Sequence, residues 1–200
     1  MAKFMTEQNS VTPSADALAQ AASAASKGKG LPPVHLWNPP FCGDLDMRIA
    51  RDGTWFYQGT PIGRPALVRL FSTILKLEGG KYYLVTPVEK VGITVDDAPF
   101  VAVDFRVEGD GRDQRLVFVT NVGDEAEAGE AHPLRVERDP KSGEPAPYVM
   151  IRAGLEALID RKSFYRLVEL GTHQVHEGAR WFGVWSGGVF FPVIPSKELQ

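Results

Sequence analysis

The chain has one cysteine, Cys42, and a single thiol cannot close an intrachain bridge. That excludes the disulfide-stapled secreted class and suits a reducing compartment. Positive charge is not in excess either: 22 Lys and Arg stand against 25 Asp and Glu, a formal net charge of −3. With a pI near 5.8, the chain lacks the counterion-release term of nucleic-acid binding and the field that draws proteins to anionic membranes. No run approaches the roughly 18 consecutive apolar residues of a membrane span, and none in 1–30 has the length of a secretory signal. The expectation is a cytoplasmic protein with no membrane partner and no nucleic acid. Also missing are a Walker loop, a Gly-x-Gly-x-x-Gly turn and a Gly-x-Ser-x-Gly elbow. The familiar signatures of nucleoside triphosphate hydrolysis, dinucleotide binding and serine hydrolysis go with them.

What the chain does contain is an ordinary globular composition, 44% hydrophobic and 24% charged over 200 residues, enough for one domain or two small ones. Residues 1–30 are rich in Ala and Ser and end in Lys27-Gly28-Lys29-Gly30. Ala17, Leu18, Ala21 and Ala22 could seed a turn or two of helix, but short helices are marginal in water, so 1–30 reads as a disordered tail. From Leu31 to Phe41 the text is too proline-rich for helix and too apolar for a solvated linker. It reads as an extended arm that docks through Leu36, Trp37 and Phe41. Gly123 to Gly129 reads as an acidic loop at a domain boundary.

Between these segments the hydrophobic pattern comes twice. Leu45, Met47 and Ile49 alternate with Asp46 and Arg48, Asp52-Gly53 interrupts, and Thr54 to Gln58 resumes with strand formers, which predicts a hairpin. Leu67, Leu70, Phe71, Ile74 and Leu75 then recur at three and four, predicting a helix that Gly79-Gly80 stops. Strands are expected at Lys81–Thr86, Val91–Val95, around Val101–Val107 and at Leu116–Thr120. The second set starts with Leu134-Arg135-Val136, a loop over Asp139–Pro147 and a strand at Tyr148–Ile151. Leu155, Leu158 and Ile159 then match Leu67, Leu70 and Phe71 without a gap, with Arg152 at the place of Arg64, and predict a second helix opening. A further helical piece follows, with Ser163 as cap, Phe164, Leu167 and Val168 as its stripe and Gly171 as its end. Arg180–Val184 echoes the aromatic strand Lys81–Val85, and Ser186-Gly187-Gly188 turns into Val189–Ile194. The fold class is therefore α+β, in two similar halves of antiparallel strands plus a helix. The expected division is 31–96 for the N-terminal half, 97–130 for a connecting hairpin and acidic loop, and 131–200 for the C-terminal half.

Several of these runs resemble a known family. Cys42–Ile49 (Cys-Gly-Asp-Leu-Asp-Met-Arg-Ile), Arg51–Gly59 (Arg-Asp-Gly-Thr-Trp-Phe-Tyr-Gln-Gly), Pro61–Arg64 and Leu67–Ser72 are similar to the proteobacterial family catalogued as domain of unknown function 1285. So are Tyr83–Lys90, Asp97–Phe100, Thr120–Asp124 and His132–Arg135. The resemblance covers nearly everything from Leu31 to Gly171. It implies a duplicated core, a C-terminal half resembling a pleckstrin-homology barrel, and a ligand site between the halves. It implies no activity, and it adds Glu89 and Lys90, otherwise a solvated strand end, to the candidate ligand-binding residues.

For the chemistry, the first hairpin matters most. Paired across a two-residue turn at Asp52-Gly53, Ala50 faces Trp55, Ile49 faces Phe56 and Arg48 faces Tyr57. Leu45, Met47, Ile49 and Phe56 then share the core face, leaving Asp46, Arg48, Trp55 and Tyr57 on the other. A guanidinium beside two aromatic rings, with a carboxylate in reach, suits stacking a planar ring and pairing an anion, and suits gripping another domain equally. Asp44 and Asp46 lie on one side of a strand, where they could share a cation, act as an acid/base pair or pair with Arg48 or Arg51. His132 before Pro133 stands at the junction of the halves as a base, an anion donor or a packing residue. His173 and His176 have zinc-like spacing without further ligands, Cys42 has only His35 as a nearby partner, and Ser186 sits in a Gly-flanked turn that is not a hydrolase elbow.

The leading expectation is a non-enzymatic binding module for an unidentified small anion, nucleotide-like molecule or peptide, with a role in signal transduction and a possible protein partner. Asp44, Asp46, Arg48, Trp55, Tyr57, Arg64, Glu89, Lys90, His132 and Arg152 are its candidate residues, with Arg64 and Arg152 as a duplicated cationic pair. No cofactor is assigned. The alternatives are a metal-assisted hydrolase using Asp44, Asp46 and His132, and a pure interaction protein whose aromatic face docks a second chain.

Overall fold

The structure, a computed structural model, describes residues 14–26, 28, 30–140 and 142–199. In chain order its elements are α1 (Ala15–Ala25), β1 (Phe41–Ile49), β2 (Trp55–Tyr57), β3 (Thr60–Pro61), α2 (Pro65–Thr73), β4 (Leu75–Glu78), β5 (Lys81–Val85) and β6 (Lys90–Val95). There follow β7 (Phe100–Glu108), β8 (Arg115–Thr120), β9 (Glu125–Glu127), β10 (Leu134–Arg138), β11 (Pro145–Arg152), β12 (Leu155–Ile159), α3 (Arg161–Glu169), β13 (Thr172–His176), β14 (Ala179–Ser186) and β15 (Val189–Pro195). The class is α+β, with two similar six-stranded sheets, each with a helix, and a small third sheet. Strand orders are β3-β2-β1-β6-β5-β4, β10-β11-β12-β7-β8-β9 and β13-β14-β15. One of the two large sheets curls into a half-barrel; in the second, neighbouring strands are antiparallel except β12 and β7, which run parallel.

Turn chemistry sets much of this. Among the described residues, five hairpins close on two residues that both have positive φ: Gln58-Gly59, Gly79-Gly80, Ala153-Gly154, Glu177-Gly178 and Gly187-Gly188. Such turns match the right-handed twist of the flanking strands, and in each of the five a glycine takes the second place. Gly79-Gly80 is therefore a hairpin turn between β4 and β5, not the helix stop that the sequence suggests. α2 ends earlier, at Thr73: Ile74, next in the apolar stripe, is a turn residue whose N–H bonds the Phe71 carbonyl, and Leu75 already opens β4.

By contacts the chain divides into two compact units, one of the residues up to Asp46 with Leu70–Ile93, the other of Met47–Arg69 with the residues from Thr94 on. In the first, α1 replaces the frayed tail expected over its residues, while the part before Ser14 lies outside the described residues. The Ser14 hydroxyl accepts the Ala17 N–H at 3.2 Å, Asp16 sits in the positive first turn, and Leu18 and Ala22 are fully buried. Burial of that small apolar stripe is what a short helix needs beyond its own propensity. The arm after it docks differently from the expectation: Pro32 and Pro39 are buried, while Leu36 and Phe41 stay exposed. Leu45, Leu75, Leu84, Val85 and Val91 are the buried apolar residues of this unit's strands, and Ile74 in the turn before β4 is buried with them.

In the second unit Phe100, Ala102, Phe118, Leu116, Val149, Ala157 and Leu167 are fully buried. The segment Leu155–Ile159, expected to open a helix, is strand β12. Its burial alternates with period two through Leu155, Ala157 and Ile159, a pattern hidden in the sequence because alanine carries little hydrophobic signal. After β12, α3 is capped by Asp160, whose carboxylate accepts the Ser163 N–H at 2.7 Å; Ser163 is the third residue of the helix, not its cap. The expected acidic loop holds the edge strand β9, paired to β8. The third sheet is tied to β8 through Ser186, whose buried hydroxyl accepts the Leu116 N–H at 2.9 Å and donates to the Ala128 carbonyl at 2.6 Å. That hydroxyl is fully used in holding backbone together, so its Gly-flanked turn is structural.

Candidate functional site

The hairpin on which the site expectation rests is real, but its loop is one residue longer than expected. Ala50 N–H bonds the Thr54 carbonyl at 2.9 Å and Gly53 N–H bonds the Ala50 carbonyl at 2.9 Å, leaving a three-residue loop Arg51-Asp52-Gly53 with Gly53 at φ +84°. The register becomes Met47 with Tyr57, Arg48 with Phe56 and Ile49 with Trp55. A slip of one residue exchanges the faces. Trp55 now shares the side of Met47 and Ile49 and is buried at 1% exposure, while Phe56 moves to the side of Arg48. The expected wall of Arg48, Trp55 and Tyr57 is therefore not assembled. Arg48 stacks on the Phe56 ring, 4.6 Å from its centre, and pairs with Asp96.

The other candidates are distributed as follows. Asp44 and Asp46 are both exposed on β1, on one side of the strand, with the Asp44 carboxylate lying against Gly92. Lys90 pairs with Glu78 at 3.0 Å and lies over Tyr83, and burial raises the Glu89 carboxyl above its ordinary range. The His132 ring nitrogen Nδ1 is 3.2 Å from the Met150 carbonyl, which it meets as a donor. Arg64 is exposed just before α2, whereas Arg152 ends a strand, pairs with Asp124 and lies over Phe100. The two arginines thus occupy different structural places and are not a duplicated pair. Among the described residues no group of three or more His, Cys, Asp or Glu side chains is gathered to hold a metal ion. His173 bonds Ser196 at 2.7 Å.

What the hairpin does build is a pocket of about 730 Å³ inside the second unit, lined by Gly53–Trp55, by Ile62, Gly63 and the first turn of α2, and by Thr120–Gly123. Its two loops have the same geometry. Around Asn121-Val122-Gly123, Thr120 N–H bonds the Asp124 carbonyl and Gly123 N–H the Thr120 carbonyl, both at 2.9 Å, as Ala50, Gly53 and Thr54 do in the first loop. Each is a turn closed by a left-handed glycine. Asn121 joins them: its carbonyl oxygen accepts the Val101 N–H at 3.1 Å and its amide donates to the Gly53 carbonyl at 3.4 Å. In the first loop Asp52 accepts the Thr54 N–H at 2.9 Å, which holds its carboxyl below the ordinary range. Pro65, Val68, Ile62 and Val122 give the pocket apolar walls, and the Arg69 guanidinium lies over Gly123. Among the described residues Arg69 is its one charged lining residue.

Two family models cover adjoining parts of the sequence: the N-terminal domain of DUF1285, a domain of unknown function, over residues 32–98, and the C-terminal domain of DUF1285, a protein of unknown function, over 99–193. The chain belongs to the DUF1285 family. A crystal structure of a DUF1285 family protein from Silicibacter pomeroyi DSS-3 is 68% identical, with a TM-score of 0.83 over 91% of this chain and 97% of that one. A second, from Shewanella baltica OS155, is 26% identical over 62% of this chain and 91% of that one, with a TM-score of 0.49. No curated protein gives a significant match. In this DUF1285 chain Arg69, Asn121 and Gly123 were missed as site residues by sequence reasoning. The available signal was that Arg51–Gly59, Pro61–Arg64, Leu67–Ser72 and Thr120–Asp124, four of the runs that carry the family resemblance, all contribute to or border one pocket.

Proposed function

We propose that this DUF1285 chain is a non-enzymatic binding module whose pocket around Gly53, Arg69 and Asn121 receives a small anionic ligand with an apolar part and passes that occupancy to a protein partner, a role in signal transduction. The observation that carries the reading is the composition of the lining: in a chain of net negative charge, this pocket has Arg69 and, among the described residues, no carboxylate. The start of α2 adds the positive end of its dipole, since Pro65 and Ala66 are both in the wall. A volume of about 730 Å³ falls in the range of small-molecule sites, and the apolar walls supply burial while the polar groups orient. Isothermal titration against a panel of nucleotides, organic phosphates and carboxylates tests it. A saturable ligand should lose about tenfold in affinity in Arg69→Gln, the scale of one charge-assisted contact. Absence of saturable binding across the panel, or binding that Arg69→Gln leaves unchanged, overturns the reading.

A further inference from the structure

The outer strand of a sheet presents a row of backbone donors and acceptors to any other chain unless something blocks it. In the first six-stranded sheet one outer strand, β3, has two residues and ends in Pro61, and the other, β4, carries Lys76 and Glu78 and has the 3-10 turn Val34–Leu36 beside it. In the second sheet β9 is the short run Glu-Ala-Glu. Its opposite edge, β10, carries Arg135, Glu137 and Arg138 and lies beside β15, an outer strand of the third sheet that Pro192 interrupts. Fixed charge, proline or a neighbour thus guards each of these edges. The remaining one, β13, reads Thr-His-Gln-Val-His and has none of the three. It pairs with β14 over all five residues without a shift of register, and among the described residues no backbone hydrogen bond reaches it from elsewhere. Val175, its one aliphatic residue, is 66% exposed.

We propose that β13 is the surface on which two copies of this chain associate, edge to edge and antiparallel, so that two three-stranded sheets join into one of six. The occupant follows from the strand's own residues, because antiparallel pairing about Val175 is self-complementary. On the two-fold axis Val175 meets Val175 of the second copy, and the two exposed side chains cover each other. Gln174 stands opposite His176 of the second copy, an amide facing an imidazole. His173, whose Nδ1 is taken by Ser196, stands opposite Glu177 of the second copy, in the turn just past the strand. Centred one residue earlier the pairing sets Val175 against His173, and centred one residue later against Glu177, so one register both covers the valine and gives the histidine a carboxylate. The interface of a single five-residue strand is small, and the dimer is accordingly a weak one, with a Kd in the micromolar range. It uses no residue of the pocket at Arg69 and does not depend on that pocket's occupancy.

Sedimentation of the full chain up to several hundred micromolar tests it. The mass should rise from one copy to two and stop there, since a two-fold contact closes on itself. Val175→Lys sets like charges on the axis and should weaken association at least about tenfold, whereas Val88→Lys, at a valine of similar exposure outside the strands, should associate as the parent does. Both valines are exposed, so circular dichroism of the variants should match the parent. The register is read by cross-linking after Cys42→Ser. Two Val175→Cys chains bring their Cα atoms to about 4.5–5.5 Å, within disulfide reach, and should link under diamide. Two Thr172→Cys chains stand roughly 20 Å apart and should not. A chain that stays monomeric throughout, association that Val175→Lys leaves unchanged, or linkage through position 172 in preference to 175 overturns the proposal.

Discussion

Gly53 serves the hairpin and the pocket at once. Its φ of +84° lies in the region that side chains strain to enter, and a Cβ there would stand 2.6 Å from the Asn121 amide and 3.1 Å from a Val101 methyl. Gly53→Ala should therefore cost about 1–3 kcal/mol of stability, read by chemical denaturation, and should displace Asn121 from the carbonyl it bonds. The same residue explains the error of register. Asp-Gly between alternating strands is the strongest local signal for a two-residue turn, and it leads to a slip that puts Trp55 outside. Here the glycine closes a three-residue loop, with Asp52 bonded to Thr54 instead of forming the corner. The identity of the hairpin was legible from its residues; which face each aromatic took depended on loop length, for which the local text is ambiguous.

Among the elements, α3 shows how a helix of nine residues holds its place. Asp160 bonds the Ser163 N–H, Gly171 N–H bonds the Val168 carbonyl, and Arg166 reaches across to the Phe105 carbonyl at 2.9 Å while pairing with Asp104. Asp160→Ala removes the cap and should destabilise by about 1 kcal/mol, lowering the melting temperature, whereas Asp160→Asn should retain most of it. Strands and hairpins in this chain were legible wherever branched or aromatic residues alternated, as at Lys81–Val85 and Val189–Ile194. Helix boundaries were not. Ile74 and Leu75 carry the period of α2 into β4, and Leu155, Leu158 and Ile159 satisfy both a helical spacing and, with Ala157, a strand alternation. Where a short apolar run fits both periods, the partner strands decide, and β12 has one on each side: β11 across the Ala153-Gly154 turn, and Phe100–Ala102 of β7, which lies distant in sequence.

For the whole molecule, stability should depend on pH through Tyr148. Burial first, then the hydrogen bond its hydroxyl donates to Asp97 at 2.8 Å, raise its pKa from the ordinary 10.0 to about 12. The folded chain thus holds the phenol proton more tightly than the unfolded chain does. That contribution is complete below pH 10 and is lost as pH rises towards about 12, so stability falls across that interval. Tyr148→Phe should flatten this fall in denaturation curves taken at successive pH values, and should remove the highest-pH step of tyrosinate absorbance. The candidate site was only partly legible at this scale. Its loops were in the text, at Arg51-Asp52-Gly53 and Asn121-Val122-Gly123, but their meeting through Asn121 joins residues 68 positions apart.

The parallel seam between β7 and β12 has a consequence for synthesis. A nascent chain that has just released Glu127 from the ribosome can zip β7, β8 and β9 together, yet the Phe100–Ala102 flank of β7 stays open until Ala157–Ile159 emerges to close it. Until then that apolar edge offers its backbone donors and acceptors to any neighbouring polypeptide. Truncations that stop short of Ile159 should accordingly accumulate in inclusion bodies, while chains that extend past it should not.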